Sequence, residues 1–469
     1  MNTTWTAVRG RLASTGLSMV ARIRRTPPVL GVTGREPWMI AGVPIAMIVG
    51  WWAVSLTVWV VGYPIPYDRT NLPLVVLLVI ACVLAALVGF LFVARRLPGG
   101  ISTPGSAARF PVPALIGVIA LAVLLVPWAE FYSGFHAWDL GSAVLDQGGA
   151  YQAAAERVAE GPASRGGMLA VQIILAPFTL AALPVTALVW FERRRHLALF
   201  ALVLFVNAAM SFLVGRDFYF VSALFVVLAA WVLSRVRRRM APTWPEAVVV
   251  ASGAAVFFIA FTARKLSRGA AASTQPLCLP GASECVQPAP SIWESLVIYV
   301  ASYSSQSMEG LGRGLSGDWA FGGGYRHSPV LTSIAEAAGL PETRVITDQL
   351  EGNGWSDTAY WSTGWTWMAN DIPWLLVPLV VACMAAFLGV TWRGAVRDGD
   401  WLAVTLFCNG WFTLFFMAQN NMLTVDGRSY LGFLSLALVF AVREVRRKAA
   451  PGSPEELTSR LQADAAAPP

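Results

Sequence analysis

Long apolar stretches set the strongest limit on what this chain can fold into. A helix that crosses a bilayer uses about 20 apolar residues and satisfies its backbone hydrogen bonds internally. We therefore predict an all-α polytopic membrane protein with about ten transmembrane helices. The predicted spans are 38–60, 72–93, 112–131, 168–190, 197–214, 218–233, 247–263, 372–390, 401–418 and 430–442.

The composition agrees with this prediction. The chain is 56% hydrophobic and only 13% charged, which is typical of a protein that spends most of its length in lipid. Its net charge of +7 would suggest an anionic partner in a soluble protein. In a membrane protein the distribution of basic residues indicates topology instead, so we expect membrane lipid and no nucleic acid as a partner.

The basic residues between the spans collect on one predicted side. With a cytoplasmic N-terminus, every basic connection obeys the positive-inside rule, and the C-terminus is also cytoplasmic. The same assignment exports 132–167 and a large loop, 264–371, between the seventh and eighth spans. The cytoplasmic basic residues are Arg95, Arg96, Arg109, Arg193, Arg194, Arg195, Arg235, Arg237, Arg238, Arg239, Arg393, Arg397, Arg443, Arg446, Arg447 and Lys448.

The chain divides into five regions under this topology. A basic arm, 1–37, lacks the apolar core of a signal peptide, and both a surface helix and a disordered arm fit it. Seven spans occupy 38–263, and the external loop 264–371 is the expected active-site region. The last three spans occupy 372–442, and the tail 443–469 is predicted to be disordered in the cytoplasm.

Arg216 is the first candidate binding residue. It lies in a tight hairpin, 214–218, between two spans, so its guanidinium should emerge at the outer membrane surface. A charge held there is costly and often functional, and the planar guanidinium grips phosphate oxygens at two points. The alternative is an arginine that snorkels and pairs with neighbouring Asp217.

Three further candidates lie in the long polar segment. Arg313 and Arg326 are cations that can bind an anionic ligand, and His327 can act as a base. The glycines at 322–324 allow the backbone before Arg326 to turn sharply or approach a ligand. A solvated histidine without function is the alternative for His327.

A tryptophan-rich stretch suggests a sugar site. On a helix, Asp357, Trp361 and Trp365 would share one face at four-residue spacing. A carboxylate beside aromatic rings suits a site that stacks sugars and takes a proton from a hydroxyl, so Asp357 is the first candidate base and His327 the second. An aromatic belt at the membrane surface is the alternative.

The remaining motifs carry less chemistry. Cys278 and Cys285 flank a turn and would form a disulfide if their loop faces an oxidising compartment; two free thiols are the alternative. Asp398 and Asp400 have a spacing that holds metal in some enzymes, but in so short a connection Asp400 should cap the next helix. No pattern with metal-ligand or cofactor-binding spacing occurs, so we expect no metal and no cofactor.

Together these segments resemble a known family, the polymerases of lipid-linked oligosaccharide repeat units of the O-antigen or capsule type, which are related to lipid-linked O-antigen ligases. The hairpin 211–218 is similar to that family's Gly-x-Arg turn, and 298–303 leads through 322–325 into a large external loop. The stretch from 353–358 to 370–371 looks like its Asn-x-x-Thr…Asp-Phe-Gly ending. The chain departs from the pattern because the arginine follows the glycine directly, one extra residue lies between the Asn and the Thr, and Ile-Pro replaces Phe-Gly.

The resemblance implies an inverting, metal-independent glycosyl transfer on the outer face of a bacterial plasma membrane. It implies an undecaprenyl-diphosphate-linked oligosaccharide as donor and a second lipid-linked repeat as acceptor, with a flippase and a chain-length regulator as pathway partners. Without a metal, the leaving diphosphate needs fixed cations. Arg216, with Arg326 or Arg313, is expected to supply them, and Arg428 is either a third contact or the partner of Asp426.

Three other functions are weighed against this expectation. A ligase would move finished glycan from the same carrier onto another acceptor. A polyprenyl-phosphate-sugar transferase usually has acidic pairs in its first external loop, where this chain has only Asp68. A non-enzymatic polysaccharide or lipid transporter would place ionisable residues within several spans, where Gln172, Asn207 and Asn409 are the main polar groups and helix packing explains them.

Overall fold

The chain folds into a helical bundle. The computed structural model describes residues 37–62, 64–94, 110–159, 166–238, 292–341, 343–355, 361–424 and 426–449, together with Trp244, Val248 and Ser252. No strand occurs among these residues. The helices are α1 Pro37–Val61, α2 Leu72–Ala94, α3 Val112–Ser133, α4 Leu140–Leu145, α5 Gln147–Ala159, α6 Gly166–Arg193, α7 Leu197–Leu213, α8 Phe218–Arg237, α9 Ile292–Gly314, α10 Pro329–Ala337, α11 Ile346–Gly352, α12 Gly364–Ala369, α13 Val377–Asp398, α14 Trp401–Phe415 and α15 Gly427–Ala449.

Seven segments are long and apolar enough to cross a membrane, so a multi-pass membrane protein is confirmed. These seven are Gly42–Val61, Leu72–Ala94, Val112–Phe131, Ala170–Arg193, Phe218–Arg237, Trp374–Asp398 and Trp401–Ala418. Of the other three predicted spans, 197–214 forms the shorter apolar helix α7, 430–442 lies within α15, and 247–263 falls outside the fully described ranges. The count of ten therefore stays a prediction.

The helix termini meet at two ends of the bundle. At one end, Arg237 of α8 donates from Nε to Glu192 of α6 at 2.6 Å and from Nη1 to the carbonyl of Ala395 in α13 at 2.8 Å. Arg443 of α15 donates to Asp400 at 2.8 Å at the same end. Asp400 caps the N-terminus of α14 by accepting the backbone N–H of Ala403, as predicted. We call this the basic end, because it carries the predicted cytoplasmic arginines.

The opposite end of the bundle is where α1, α7 and α9 finish. Asn71, just before α2, donates to the carbonyl of Gly312 at 3.0 Å, and Trp59 of α1 donates to Glu309 at 3.1 Å. Gln147 of α5 donates to the carbonyl of Phe212 at the end of α7 at 3.1 Å. The loops at this end contain His327, Asp371 and Arg216, and we call it the site end.

The predicted external loop 264–371 stays a prediction, and the structure describes helices within it. Its described part contains α9, a 23-residue helix that packs against α1 and α2 instead of standing outside the spans. Ser305, Ser307 and Glu309 of α9 are buried, and Ser307 donates to the carbonyl of Ala418 at 2.8 Å. Hydrogen bonds to neighbouring helices satisfy this polar face, so a helix of low hydropathy is accommodated within the bundle.

Glycines allow α2 and α13 to pack closely. A Cβ atom at Gly89 would overlap the carbonyl oxygen of Ala382, and one at Gly389 would lie 3.0 Å from the carbonyl oxygen of Phe90. In a membrane such small residues let two helix backbones approach and gain van der Waals contact. Each of the two helices contributes one glycine to this crossing.

We expect Gly89→Ala to destabilise the bundle by roughly 1–3 kcal/mol, because the added methyl group meets backbone that cannot rotate away. Gly50→Ala is the matched control, since nothing lies within 4 Å of a Cβ at Gly50 of α1 and alanine favours a helix. Thermal unfolding in detergent measures both variants. Equal melting temperatures for the two would contradict the close crossing.

Candidate active site

Two consecutive residues after α12 hold the glycine-rich loop 322–327 in place. Asn370 accepts at its carbonyl from the backbone N–H of Gly322 at 2.9 Å and donates from Nδ2 to the carbonyl of Arg326 at 3.0 Å. Asp371 Oδ1 accepts the backbone N–H of Gly324 at 3.0 Å. Gly323 and Gly324 have φ values of +80° and +83°, which glycine adopts without a Cβ clash, so the loop can turn around the carboxylate.

Asp371, His327 and Tyr430 form one hydrogen-bonded chain. Asp371 Oδ2 lies 2.6 Å from His327 Nδ1 and also accepts the backbone N–H of His327 at 2.8 Å. His327 Nε2 lies 2.7 Å from the hydroxyl of Tyr430 in the first turn of α15. The carbonyl of His327 accepts from Asn421 at 3.2 Å. The imidazole is therefore fixed on both ring nitrogens and through its own backbone.

Asp371 is ionised in this arrangement. Burial alone would raise its pKa, but hydrogen bonds from the His327 ring and from the backbone N–H groups of His327 and Gly324 outweigh burial and lower the pKa below its ordinary value. An ionised carboxylate only accepts hydrogen bonds, so Nδ1 of His327 carries a proton. In the neutral imidazole the lone pair is then on Nε2, and it accepts a hydrogen bond from the hydroxyl of Tyr430. A carboxylate that orients an imidazole in this way is the arrangement of a general base.

Arg326 lies next to this chain with its charge balanced by acids. Its guanidinium pairs with Asp348 of α11 and lies 3.7 Å from Glu336 of α10. The Arg326 side chain is only 11% exposed, so these carboxylates offset the cost of burying its charge. The local cluster of one cation and two anions carries no excess positive charge.

Arg313 at the end of α9 is balanced in the same way. It donates to Glu309 at 3.1 Å and to Asp68 at 3.1 Å, and its guanidinium lies 5.0 Å from the centre of the Trp355 ring. Glu309 is 1% exposed and accepts three more hydrogen bonds, from Trp59 at 3.1 Å, from the backbone N–H of Arg69 at 3.1 Å and from the hydroxyl of Thr70 at 2.8 Å. This network ties α9 to the connection between α1 and α2.

Arg216 lies in the predicted hairpin and differs from the other two arginines. The turn packs against α5, because Gly215 has a φ of +66° and a Cβ there would overlap the backbone of Tyr151. Ser211 donates to the carbonyl of Arg216 at 2.5 Å and fixes the turn. Within the part of the chain that the structure describes, no acid forms an ion pair with the Arg216 guanidinium. Its positive charge therefore lacks the acidic partners that Arg313 and Arg326 have.

One cavity of about 50 Å³ lies among α3, α6, α7, α8 and α14, and its lining includes neither Arg216, His327 nor Tyr430. Phe218, two residues after Arg216, and Ser429, one residue before Tyr430, both line it. Asn207 of α7 and Asn409 of α14 also line this cavity, and each donates from Nδ2 to a carbonyl of its own helix at 2.8 Å. A space of this size holds a few water molecules.

The predicted tryptophan face is not formed. Trp361 precedes α12, has a left-handed φ of +61° and contacts Tyr303 edge-on, with 4.6 Å between ring centroids. Trp365 is within α12, fully buried, with its ring centroid 5.2 Å from that of Trp52. The two tryptophans do not share a helical face, and Trp365 is packed in the core where no sugar can stack on it. Packing in the tertiary structure overrides the four-residue spacing.

Several predicted residues lie outside the described part. Asp357, Cys278 and Cys285 fall in ranges that the structure does not describe, so their predicted roles stay predictions. Arg428 is in the first turn of α15, and its side chain is likewise not described. Among the described residues, no group of three or more His, Cys, Asp or Glu side chains is placed to hold a metal ion.

The sequence did not single out two members of the hydrogen-bonded chain. Asp371 belongs to the Asn370–Asp371 motif that supports the family resemblance, so a signal existed, but nothing in it indicated contact with His327. Tyr430 is 103 residues from His327 and has no local pattern that marks it.

Comparisons of the chain with protein-family models, with characterised proteins and with solved structures found no match.

The depressed pKa of Asp371 predicts how stability changes with pH. The pKa of this carboxyl group is lower in the folded protein than in the unfolded chain, where it is about 4. Such a group stabilises the folded protein fully at pH values above the unfolded-state pKa. The stabilisation is lost as the pH falls through the folded-state pKa. We therefore expect the melting temperature of the unsubstituted protein to exceed that of Asp371→Asn by a constant amount down to about pH 4, and the difference to narrow below it.

Melting temperatures in detergent at a series of pH values measure this difference. Glu156→Gln is the control, because Glu156 is an exposed carboxylate that accepts from Gln152 of its own helix, α5. If the difference between Asp371→Asn and the unsubstituted protein narrowed already near neutral pH, the ionised state of Asp371 would be contradicted.

Proposed function

We propose that this protein is a glycosyltransferase that polymerises undecaprenyl-diphosphate-linked oligosaccharide repeat units on the outer face of a bacterial plasma membrane. The observation that carries the proposal is the pairing of Asp371 with His327 at the site end of a membrane bundle. Joining two lipid-linked repeats requires a base for a sugar hydroxyl and a cation for a leaving diphosphate. The site end offers His327 for the first task and Arg216 for the second.

In this mechanism His327 is the base that takes up a proton when an acceptor hydroxyl is deprotonated and its oxygen attacks the anomeric carbon of the donor. Asp371 orients the imidazole and stabilises the imidazolium that forms. Attack opposite to the leaving diphosphate inverts the configuration at the anomeric carbon. Asp357 was the first candidate base from sequence, but the described geometry supports His327.

The leaving diphosphate develops negative charge, and the three arginines are not equivalent in meeting it. Arg313 and Arg326 each pair with two carboxylates, whereas Arg216 pairs with none of the described acids. A guanidinium can bind two phosphate oxygens at once, which makes Arg216 the principal proposed contact.

The depth of the site favours a substrate anchored in lipid. Tyr430 precedes Arg443 by 13 residues of continuous helix, about 20 Å along the axis, and Arg443 is bound at the basic end. The hydrocarbon core of a bilayer is about 30 Å thick, so with Arg443 at the inner boundary Tyr430 would lie within the outer half of the bilayer. A lipid-linked sugar reaches this depth while its tail remains in the bilayer.

A ligase that transfers finished glycan from the same carrier would use the same base and cation. Product length separates the two enzymes. A purified polymerase supplied with one kind of lipid-linked repeat unit produces glycans of many different lengths, seen as a ladder of bands. A ligase transfers one preassembled glycan to a different acceptor.

We expect His327→Gln to lower polymer formation by about 100- to 10,000-fold, because the variant has no imidazole to accept the proton. His136→Gln is the matched control and should leave activity unchanged, because His136 is exposed and its ring contacts Glu130 at 2.8 Å and Trp138. The measurement is the rate of ladder formation by purified protein in detergent with a lipid-linked repeat. Normal rates in a folded His327→Gln variant would refute the proposed base.

We expect Arg216→Ala to lower the rate by about 100-fold or more, and Arg216→Lys to recover only part of it, since lysine keeps the charge without the two-point fork. The same ladder assay measures both variants, with melting temperature as the check on folding. If lysine and alanine behaved alike and both were fully active, Arg216 would not contact the diphosphate.

The outer location of the site predicts a labelling pattern. In a chain whose cysteines are replaced by serine or alanine, Gln152→Cys in α5 at the site end should react with a membrane-impermeant maleimide in intact cells. Arg195→Cys at the basic end should react only after permeabilisation; both positions are exposed. The reverse pattern would place the site in the cytoplasm.

A further inference from the structure

The lone pair that His327 would use is already occupied. The Tyr430 hydroxyl lies 2.7 Å from Nε2, and the Tyr430 residue is only 7% exposed, whereas the His327 side chain is 28% exposed. Because Asp371 keeps a proton on Nδ1, the Nε2 atom accepts and the phenol donates. A substrate hydroxyl therefore cannot bind Nε2 directly while Tyr430 remains in place.

The phenolic oxygen keeps its own capacity to accept. A tyrosine hydroxyl donates one hydrogen bond and accepts others, so Tyr430 can donate to His327 and accept from a further hydroxyl at the same time. Its backbone belongs to the first turn of α15, directly after Ser429, which lines the cavity between the helices. The two rings meet edge-on with 5.9 Å between their centroids, and the phenolic oxygen covers Nε2.

We infer that Tyr430 is a further catalytic residue, which accepts the proton of the acceptor hydroxyl and passes its own proton to His327. This inference rests on the proposed glycosyl transfer. It identifies the group that the site deprotonates as an alcohol hydroxyl bound to the phenolic oxygen. This hydroxyl is separated from the imidazole by Tyr430 and does not bind Nε2 itself.

The step balances without any added reagent. The acceptor O–H bond breaks and its proton binds the phenolic oxygen, while the phenolic proton moves to Nε2 and leaves a neutral tyrosine and an imidazolium. The acceptor oxygen forms a bond to the anomeric carbon, and the bond from that carbon to the diphosphate breaks with its electron pair on the diphosphate. After product leaves, the imidazolium returns its proton through the phenolic oxygen to water.

Tyr67 provides a control for a purely structural hydroxyl. It is 6% exposed and, like Tyr430, makes a hydrogen bond to one side chain, at 3.0 Å to Ser305. Tyr67→Phe and Tyr430→Phe should therefore disturb folding to a similar extent. Only the second variant should change the chemistry of His327.

The first experiment needs no substrate. Diethyl pyrocarbonate acylates an imidazole nitrogen that has a free lone pair, and the chain has only three histidines, so mass spectrometry of peptides can follow each one. We expect Tyr430→Phe to raise the acylation rate of His327 about fivefold, the ratio for the loss of one ordinary hydrogen bond. Tyr67→Phe should leave it unchanged, and His136 serves as the internal reference. An unchanged His327 rate in Tyr430→Phe would overturn the inference.

The second experiment measures turnover. In the ladder assay we expect Tyr430→Phe to lower kcat by about 100-fold with little change in KM, because a phenol that relays a proton acts in the transition state. Tyr67→Phe should retain kcat. If His327 became more reactive while kcat was unchanged, the phenol would only cover Nε2, and the relay would be refuted. If instead His327→Gln kept full activity, the proposed function itself would fail, whatever the acylation result.

Discussion

The carboxylate of Asp371 is the interaction on which the rest of the site depends. It accepts backbone N–H groups from Gly324 and His327 and also binds the His327 ring. A glycine-rich loop loses much conformational freedom on ordering, and these charge-assisted hydrogen bonds offset that cost. They also keep the carboxylate ionised in a mostly buried position. The loop geometry, the charge of Asp371 and the tautomer of the imidazole are thus set by one group.

The other charges at the site end follow the same rule. A buried cation needs acidic partners, and Arg313 and Arg326 each have two. Their networks join the α1–α2 connection to α9, and α10 and α11 to the histidine loop. These arginines consequently hold the frame around the site. Arg216 lacks such partners among the described residues and lies at the turn that α5 covers.

The membrane sets the depth at which this polar cluster can lie. Seven apolar segments and the tight crossing at Gly89 and Gly389 supply the frame. Within it, α15 runs about 20 Å from Arg443 at the basic end to Tyr430 in the hydrogen-bonded chain. The buried polar groups of this chain are tolerable because they are bonded to one another, and the same bonds give the imidazole its orientation.

Hydropathy along the chain was enough to predict a multi-pass helical protein, and local chemistry was enough to predict the Asp400 cap and the Arg216 hairpin. These are properties of neighbouring residues, since a span, a cap and a turn depend on a few consecutive side chains. His327 could be proposed as a base from its residue type and its neighbours. The sequence could not rank it above Asp357 or supply its partners.

Only the tertiary structure decided that α9 packs into the bundle, that Trp365 is buried against Trp52, and that His327 lies between Asp371 and Tyr430. The physical reason is that a hydrogen-bond partner is selected by position in space, and here the partners are 44 and 103 residues away along the chain. Residue type and spacing carry no record of such distances. The sequence by itself therefore determined where the helices run, and the packing of those helices determined which side chains meet.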